Sequence, residues 1–305
     1  MSLSIISPEK ITAELDIQEE IFDSINLNEN IIFSSGAGAG KTYALIESLK
    51  YIIDKQGLRL NAHNQNIICV TYTNVAAEEV KERLGNSDLV KVSTIHERIW
   101  ELIKHHQKEL VEIHRNKLSE EINSLTHKIL NDKKFKAYQS LGDDLKKSLS
   151  ELMIVKKDLF YKSYDKKAKE FSLIFKDDLS IYPDILKNKS YFTSLIGILY
   201  KLENYASCLI EIAANKKGFI KVVYNASYNV DRLHWMRISH ETLLEYGLKI
   251  IKKHELLQQI IIDKYPYFLI DEYQDTDTKV VEIMSLLSKC SDRINHNLFV
   301  GYFGD

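Results

Sequence analysis

Apolar residues recur at helical spacing over Leu15, Ile17, Ile21, Phe22 and Ile25, and the short apolar run "NIIF" at residues 30–33 then reads as a buried strand. A helical pattern follows from Lys41 to about residue 53. "NIICVTYT" at residues 66–73 is β-branched and aromatic and predicts a second strand. Asn74 is expected to cap the helix "VAAEEVKERL", "LVKVS" at residues 89–93 is a third strand, and Thr94 opens another helix. Strands alternating with helices predict a parallel sheet with helices on both faces. From about residue 100 to 264 the rhythm changes to long Leu/Ile/Lys/Glu/Tyr helical patterns with few breakers. The α/β pattern returns with "YFLIDEYQDTD" at residues 267–277, a helix over 278–287 and a last strand "NLFVGY" at 297–302. The expectation is an α/β core in two parts, residues 1–99 and 265–305, interrupted by a large all-helical subdomain at 100–264.

Composition adds little to this pattern and charge adds more. The 305 residues are 45% hydrophobic and 28% charged, with only three prolines and eleven glycines, as suits a helix-rich globular chain. The formal net charge of −2 conceals an asymmetry, because residues 104–222 carry 23 Lys and Arg against 16 Asp and Glu. Cys69, Cys208 and Cys290 stand apart with no CxxC pair, which suits reduced thiols better than a disulfide or zinc framework. Neither a membrane-length apolar run nor a signal-peptide pattern is present, so a cytoplasmic protein with no membrane partner is expected.

The chemistry concentrates in "FSSGAGAGKTYALIE", residues 33–47. A glycine-rich turn between strand and helix, closed by Lys-Thr, is the P-loop arrangement, with Ser35 where the strict pattern has glycine. Backbone N–H groups converge on a phosphate at such a turn, and glycine lets the backbone approach without a Cβ. Ser35, Gly36, Ala37, Gly38, Ala39, Gly40, Lys41 and Thr42 are therefore the candidate nucleotide-binding residues. Lys41 would neutralise the β- and γ-phosphates, and the Thr42 hydroxyl would face Mg²⁺. In "FLIDE", residues 268–272, an apolar strand ends in two acids at the sheet's carboxyl edge. Asp271 would hold Mg²⁺ there through water, and Glu272 would polarise the attacking water. ATP and Mg²⁺ are the expected cofactors, with Lys41, Asp271 and Glu272 catalytic and Thr42 and Asp271 at the metal. These parts alone fit a kinase, a transporter, a GTPase switch or a DNA motor.

Taken in order, "SGAGAGKT", "VTYTNVAAEEVKERL", "VSTIHE" and "LIDEYQDTD" resemble the UvrD/Rep-like superfamily 1 helicases. The resemblance covers about residues 10–100 and 240–305 and matches the first, RecA-like ATPase core domain of that family, with the helical middle matched by position only. It implies an ATP-dependent helicase or translocase acting on single-stranded or partly duplex DNA. It also implies roles that the residues alone do not show. Gln18 is placed to read adenine, Tyr72 to stack on a base, and Thr73 and Asn74 to contact the DNA backbone. Thr94 and His96 would lie near the DNA track, although Ser93 and Ile95 depart from the family's Gly-Thr-Phe-His-Ser. Gln274, placed at the nucleotide, and Asp275 match the extended acidic motif that couples nucleotide state to DNA contacts. In "VGYFGD" either Gly304 and Asp305 form the family's Gly-Asp pair or Gly301 stands there with Tyr302 replacing the acid; the first is favoured. The family's second core domain does not fit within 305 residues, so weak or no activity is expected of these residues alone. Two other readings stand beside this one: the motor part of a helicase-nuclease, and a nucleotide-sensing interaction module that does not translocate. The helical middle, with Lys and Tyr interleaved at residues 156–170, reads as an electrostatic footprint for DNA, as a solvated helix with Tyr on its apolar side, or as an arm for a protein partner.

Overall fold

The computed structural model describes residues 8–36 and 40–305, with side chains from Leu15 onward. Its centre is a five-stranded sheet of β1 (Ile31–Ser34), β2 (Ile67–Thr71), β3 (Val90–Thr94), β4 (Tyr267–Asp271) and β5 (Phe299–Gly304), in the order β1-β5-β4-β2-β3. Every pairing in this sheet is parallel. The central strands β2 and β4 are buried at every position, which is why "IICVT" and "YFLID" run apolar without alternation. The edge strand β1 instead alternates half-buried and exposed residues.

Helices α1 (Pro8–Leu27), α2 (Lys41–Ala62), α3 (Asn74–Arg83) and α4 (Ile95–Ile103) alternate with the first strands. Leu45, Leu49, Ile52 and Leu60 of α2 join Cys69, Leu269, Phe299 and Phe303 of the sheet in one core. Each such side chain contributes about 1.5–3 kcal/mol by leaving water. The apolar stripe of α1 narrows to Ile21 and Ile25, which are buried, and Phe22, stacked on Tyr51 with ring centroids 4.0 Å apart; Leu15 and Ile17 are exposed. Helix α2 extends to Ala62, well beyond residue 53, because its apolar face keeps meeting the core as far as Leu60.

The chain divides into two compact units. The sheet unit comprises the described residues through His106 together with Tyr224–Val230 and Ser239–Asp305, and the second unit comprises Gln107–Val223 and Asp231–Ile238. The boundary expected at residue 264 therefore lies elsewhere. Residues 240–264 form α7 (His240–Lys253) and α8 (Glu255–Lys264) of the sheet unit, which pack beside α9 (Thr278–Ile294), and α7 also packs on α4. Their helical periodicity looks the same from sequence whichever unit buries them. Helix α9 continues past residue 287 until Asn295, in the left-handed conformation, caps it.

In the second unit, α5 (Gln107–Asn131) packs along α6 (Lys189–Ala213) with short helices between them in sequence. Its core is aromatic: Phe160 meets Phe171 and Tyr200 edge-on, and Phe192 joins Phe171 and Phe175. The Tyr200 hydroxyl donates to the Met153 carbonyl at 2.6 Å. The unit is helical apart from a short backbone pairing, in which the Val223 N–H donates to the Met236 carbonyl at 2.8 Å. In the Lys/Tyr stretch at 156–170 Phe160 is the buried ring, while Tyr161 and Tyr164 are exposed. Cys69, Cys208 and Cys290 are buried free thiols. Among the described residues no helix is long and apolar enough to cross a membrane.

Candidate functional site

Parallel strands bring the ends of β1, β4 and β5 to one edge of the sheet, where Ser34 pairs with Gly304 and Asp271 with Phe303. The Ser35 N–H continues the ladder by donating to the Gly304 carbonyl at 2.9 Å. Gly40, at φ 87° and ψ 13°, turns the chain into α2, and the Ala44 N–H closes the first helical turn on its carbonyl. A side chain at that φ would be strained, so glycine suits the position. Added Cβ atoms at Gly36 and Gly40 would meet nothing within 4 Å, so these two glycines face open space. Ala37, Gly38 and Ala39 lie outside the described residues.

Lys41, the first residue of α2, directs its ammonium into this edge, where it pairs with Asp305 and lies 3.8 Å from a Glu272 oxygen. The hydrogen bond to Asp305, and after it the carboxylates of Glu272, Asp305 and Asp271, raise the Lys41 pKa. Asp271 is buried and accepts the Glu272 N–H at 3.1 Å. Burial first, and the Glu272 carboxylate second, push its pKa up to about 6. Glu272 adopts the left-handed conformation, φ 51° and ψ 48°, as the chain leaves β4 for a tight turn. The exposed Gln274 donates to Glu272 and accepts the Asp305 N–H at 3.1 Å. Thr42 is half-buried one residue beyond Lys41. Among the buried polar side-chain atoms without a protein hydrogen-bond partner are Gln18 Nε2, on α1, and Ser35 Oγ, just after β1. Lys41, Asp271, Glu272 and Asp305, tied together by the neutral Gln274 amide, thus form one constellation in which, among the described residues, the acids are in excess around Lys41.

The residues expected at DNA occupy the ends of the neighbouring strands β2 and β3, where Thr71 pairs with Thr94. Tyr72 follows the buried strand β2 directly and is 64% exposed. Thr73, not Asn74, caps α3: its hydroxyl accepts the Ala76 N–H at 3.1 Å. Asn74 is the first helical residue and is exposed. Thr94 and Glu97 form a reciprocal capping box at the start of α4, which occupies the Thr94 hydroxyl.

His96 stacks on His240 with centroids 4.3 Å apart, and this small cluster also includes Tyr224, whose hydroxyl lies 2.8 Å from His240 Nδ1. His240 lies far along the chain from His96, and no local pattern signals the pair. Burial, and then the His240 ring, lower the His96 pKa to about 4. An imidazole with a folded pKa below the unfolded value near 6.5 binds protons better in the unfolded chain. Its contribution is present above about pH 6.5 and is lost as pH falls toward 4. Burial likewise lowers the pKa of His240, so it acts in the same direction. Phe at position 96 keeps a ring in the stack and removes the proton. His96→Phe is expected to reduce the loss of stability between pH 7.5 and 5 by about 1 kcal/mol, discounted for solvent access. Urea midpoints at the two pH values measure this, and an unchanged loss would exclude His96 as a contributor.

The model of the UvrD/REP helicase N-terminal domain matches residues 16–303 of this chain. Gabija protein GajB of Bacillus cereus (strain HuB5-5) is 56% identical over 305 residues, all of this chain and 45% of that protein. ATP-dependent DNA helicase Rep of Buchnera aphidicola subsp. Schizaphis graminum is 24% identical over 268 residues, 86% of this chain and 33% of that protein. An ATP-dependent helicase/nuclease protein of Clostridium kluyveri is 28% identical over 179 residues, 57% of this chain and 13% of that protein. The chain spans less than half the length of each of these relatives.

Proposed function

The chain belongs to the UvrD/REP helicase N-terminal domain family, and from that premise we propose that it is the RecA-like ATPase core of an ATP-dependent DNA helicase or translocase, carrying a helical insert. The observation that carries this reading is the convergence of Lys41, Asp271 and Glu272 on the carboxyl edge of a parallel sheet, beside Gly36 and Gly40, which face open space. Ser35 to Thr42 form the P-loop, whose amides receive phosphate oxygens, and Lys41 exchanges Asp305 for the β- and γ-phosphates of ATP. The orphaned Gln18 amide and Ser35 hydroxyl fit a nucleotide that would satisfy them. Thr42 and Asp271 would hold Mg²⁺, which would supply charge neutralisation to the phosphates. Glu272 orients and deprotonates the attacking water.

Single-stranded DNA runs past the ends of β2 and β3, with Tyr72 as its stacking platform, Thr73 and Asn74 at its backbone, and Thr94 and His96 beside it. The insert, with its excess of Lys and Arg over Asp and Glu, contributes charge to DNA or a docking arm to a protein partner. A cytoplasmic setting suits these partners. A second reading, the motor part of a helicase-nuclease, is supported by the similarity to the Clostridium kluyveri helicase/nuclease protein.

The reading is tested by ATP turnover of the intact protein with and without single-stranded DNA. Stimulation by DNA is expected, and turnover indifferent to DNA would favour a nucleotide-sensing module instead. Tyr72→Ala is expected to weaken single-stranded DNA binding by about 1–3 kcal/mol, or roughly 5- to 150-fold, with the salt slope unchanged. Anisotropy titrations at several salt concentrations read both quantities, and an unaltered affinity would exclude Tyr72 from stacking.

A further inference from the structure

The hydrogen bonds of Gln274 are both made to protein. Its amide N–H donates to the Glu272 carboxylate, and its amide oxygen accepts the Asp305 N–H at 3.1 Å. Lys41 closes the circuit, pairing with the Asp305 carboxylate while lying 3.8 Å from Glu272. Glu272 itself sits on a left-handed turn with its side chain partly in solvent, so its backbone alone leaves several rotamers open. The end of β5 comes so close to this turn that a Cβ on Gly304 would lie 2.2 Å from the Gln274 amide oxygen and 2.6 Å from Tyr273 Cδ1. The φ of Gly304 does not demand glycine, but the space does.

We infer that Gln274 is a positioning residue for hydrolysis, a strut that holds the Glu272 carboxylate against the end of β5, and that Gly304 is glycine so that the strut fits. This rests on the proposed role of Glu272 and extends it. The Gln274 amide is anchored at both ends within the protein, one N–H on the Glu272 carboxylate and its oxygen on the Asp305 N–H, so its contacts hold the carboxylate in place. A carboxylate freed to rotate loses its line on the attacking water, and a misplacement of about 1 Å can cost a hundredfold in rate. ATP would still meet Lys41 and the glycine turn. The loss therefore falls on the chemical step and spares binding.

In the intact protein, Gln274→Ala is expected to lower the single-turnover hydrolysis rate roughly 10- to 100-fold, with the Mg·ATP dissociation constant changed less than about threefold. Gln274→Glu has the same shape and keeps the acceptor for Asp305, but it turns a carboxylate toward Glu272. It should be as slow as Gln274→Ala, whereas a purely space-filling role would tolerate it. Gly304→Ala should reproduce the defect in the wild-type background and add little in the Gln274→Ala background, a non-additivity that places the two residues in one device. Thermal midpoints identify any variant that is misfolded, and the near-isosteric Gln274→Glu keeps the test decisive if Gly304→Ala unfolds. Near-wild-type turnover by Gln274→Glu, additive effects of the two alanines, or a loss confined to ATP affinity would overturn the assignment. Lys41→Ala serves as the reference. If it too leaves ATP binding intact, the proposed nucleotide site itself fails; if it abolishes binding while the Gln274 variants hydrolyse normally, only the strut fails.

Discussion

Lys41→Ala is expected to reduce Mg·ATP affinity by at least tenfold and as much as several hundredfold, the largest effect on binding of any single substitution in the chain. Among the described residues its ammonium is the cation that the acids of this edge surround, with Asp271, Glu272 and Asp305 about it. Charge-assisted hydrogen bonds contribute about 1.5–3 kcal/mol each, and a triphosphate offers this lysine more than one oxygen. Removing it also leaves three carboxylates facing an incoming polyphosphate anion, so the variant loses an attraction and uncovers a repulsion. Gln18→Ala removes one amide, whose Nε2 has no protein partner, and its cost should be several times smaller. Folding stability should change little, because the Glu272 and Asp305 side chains remain 38% and 51% exposed and water screens them once the lysine is gone. Titration calorimetry with Mg·ATP, alongside a thermal melt, separates the two effects. Unchanged affinity in a folded Lys41→Ala protein would remove the nucleotide site from this edge.

The convergence of Lys41, Asp271 and Glu272 on one sheet edge is legible in the sequence because its parts are local. Each of "GAGAGKT" and "FLIDE" marks a strand end with its own chemistry, and a parallel sheet brings such ends to one side. What pairs with what is another matter. The contacts of Gln274 with the backbone of Asp305 and of His96 with His240 join segments far apart in the chain, and no local pattern states these pairings. The cap of α3 shows the limit at shorter range, since Thr73 and Asn74 are both good caps and only the extended backbone of Thr73, φ −126° and ψ 155°, decides between them. The extent of the helical unit was illegible for a similar reason. Amphipathic periodicity identifies α7 and α8 as helices with a buried face, but it does not say which core receives that face. Charge fared no better in the second unit. Its lysines include Lys156, paired with Asp178 at 2.9 Å, and Lys189, which donates to the Tyr164 and Lys166 carbonyls. A count of basic residues therefore overstates the charge free to meet a polyanion.

Glu272→Gln should show the opposite profile to Lys41→Ala: ATP bound as well as or better than in the wild-type protein, and hydrolysis nearly abolished. Glutamine preserves the volume of the side chain and can still bond to the Gln274 amide, so the turn after β4 should keep its shape. It removes a negative charge that lies 3.8 Å from the Lys41 ammonium and next to the buried Asp271. With that charge gone, the edge repels a triphosphate less, which favours binding. An amide cannot accept a proton from water at neutral pH, so the general-base contribution, typically about 10²–10⁴-fold, is lost from the chemical step. Single-stranded DNA binding should persist, because Tyr72, Thr73 and Asn74 lie at the ends of other elements. Rapid-quench hydrolysis in the intact protein, with DNA saturating, measures the step directly, and nucleotide titration of the same preparation measures binding. Turnover within about threefold of wild type would show that another group activates the water. A parallel loss of ATP affinity would mean instead that Glu272 shapes the binding site, and the division of labour between Lys41 and Glu272 would have to be redrawn.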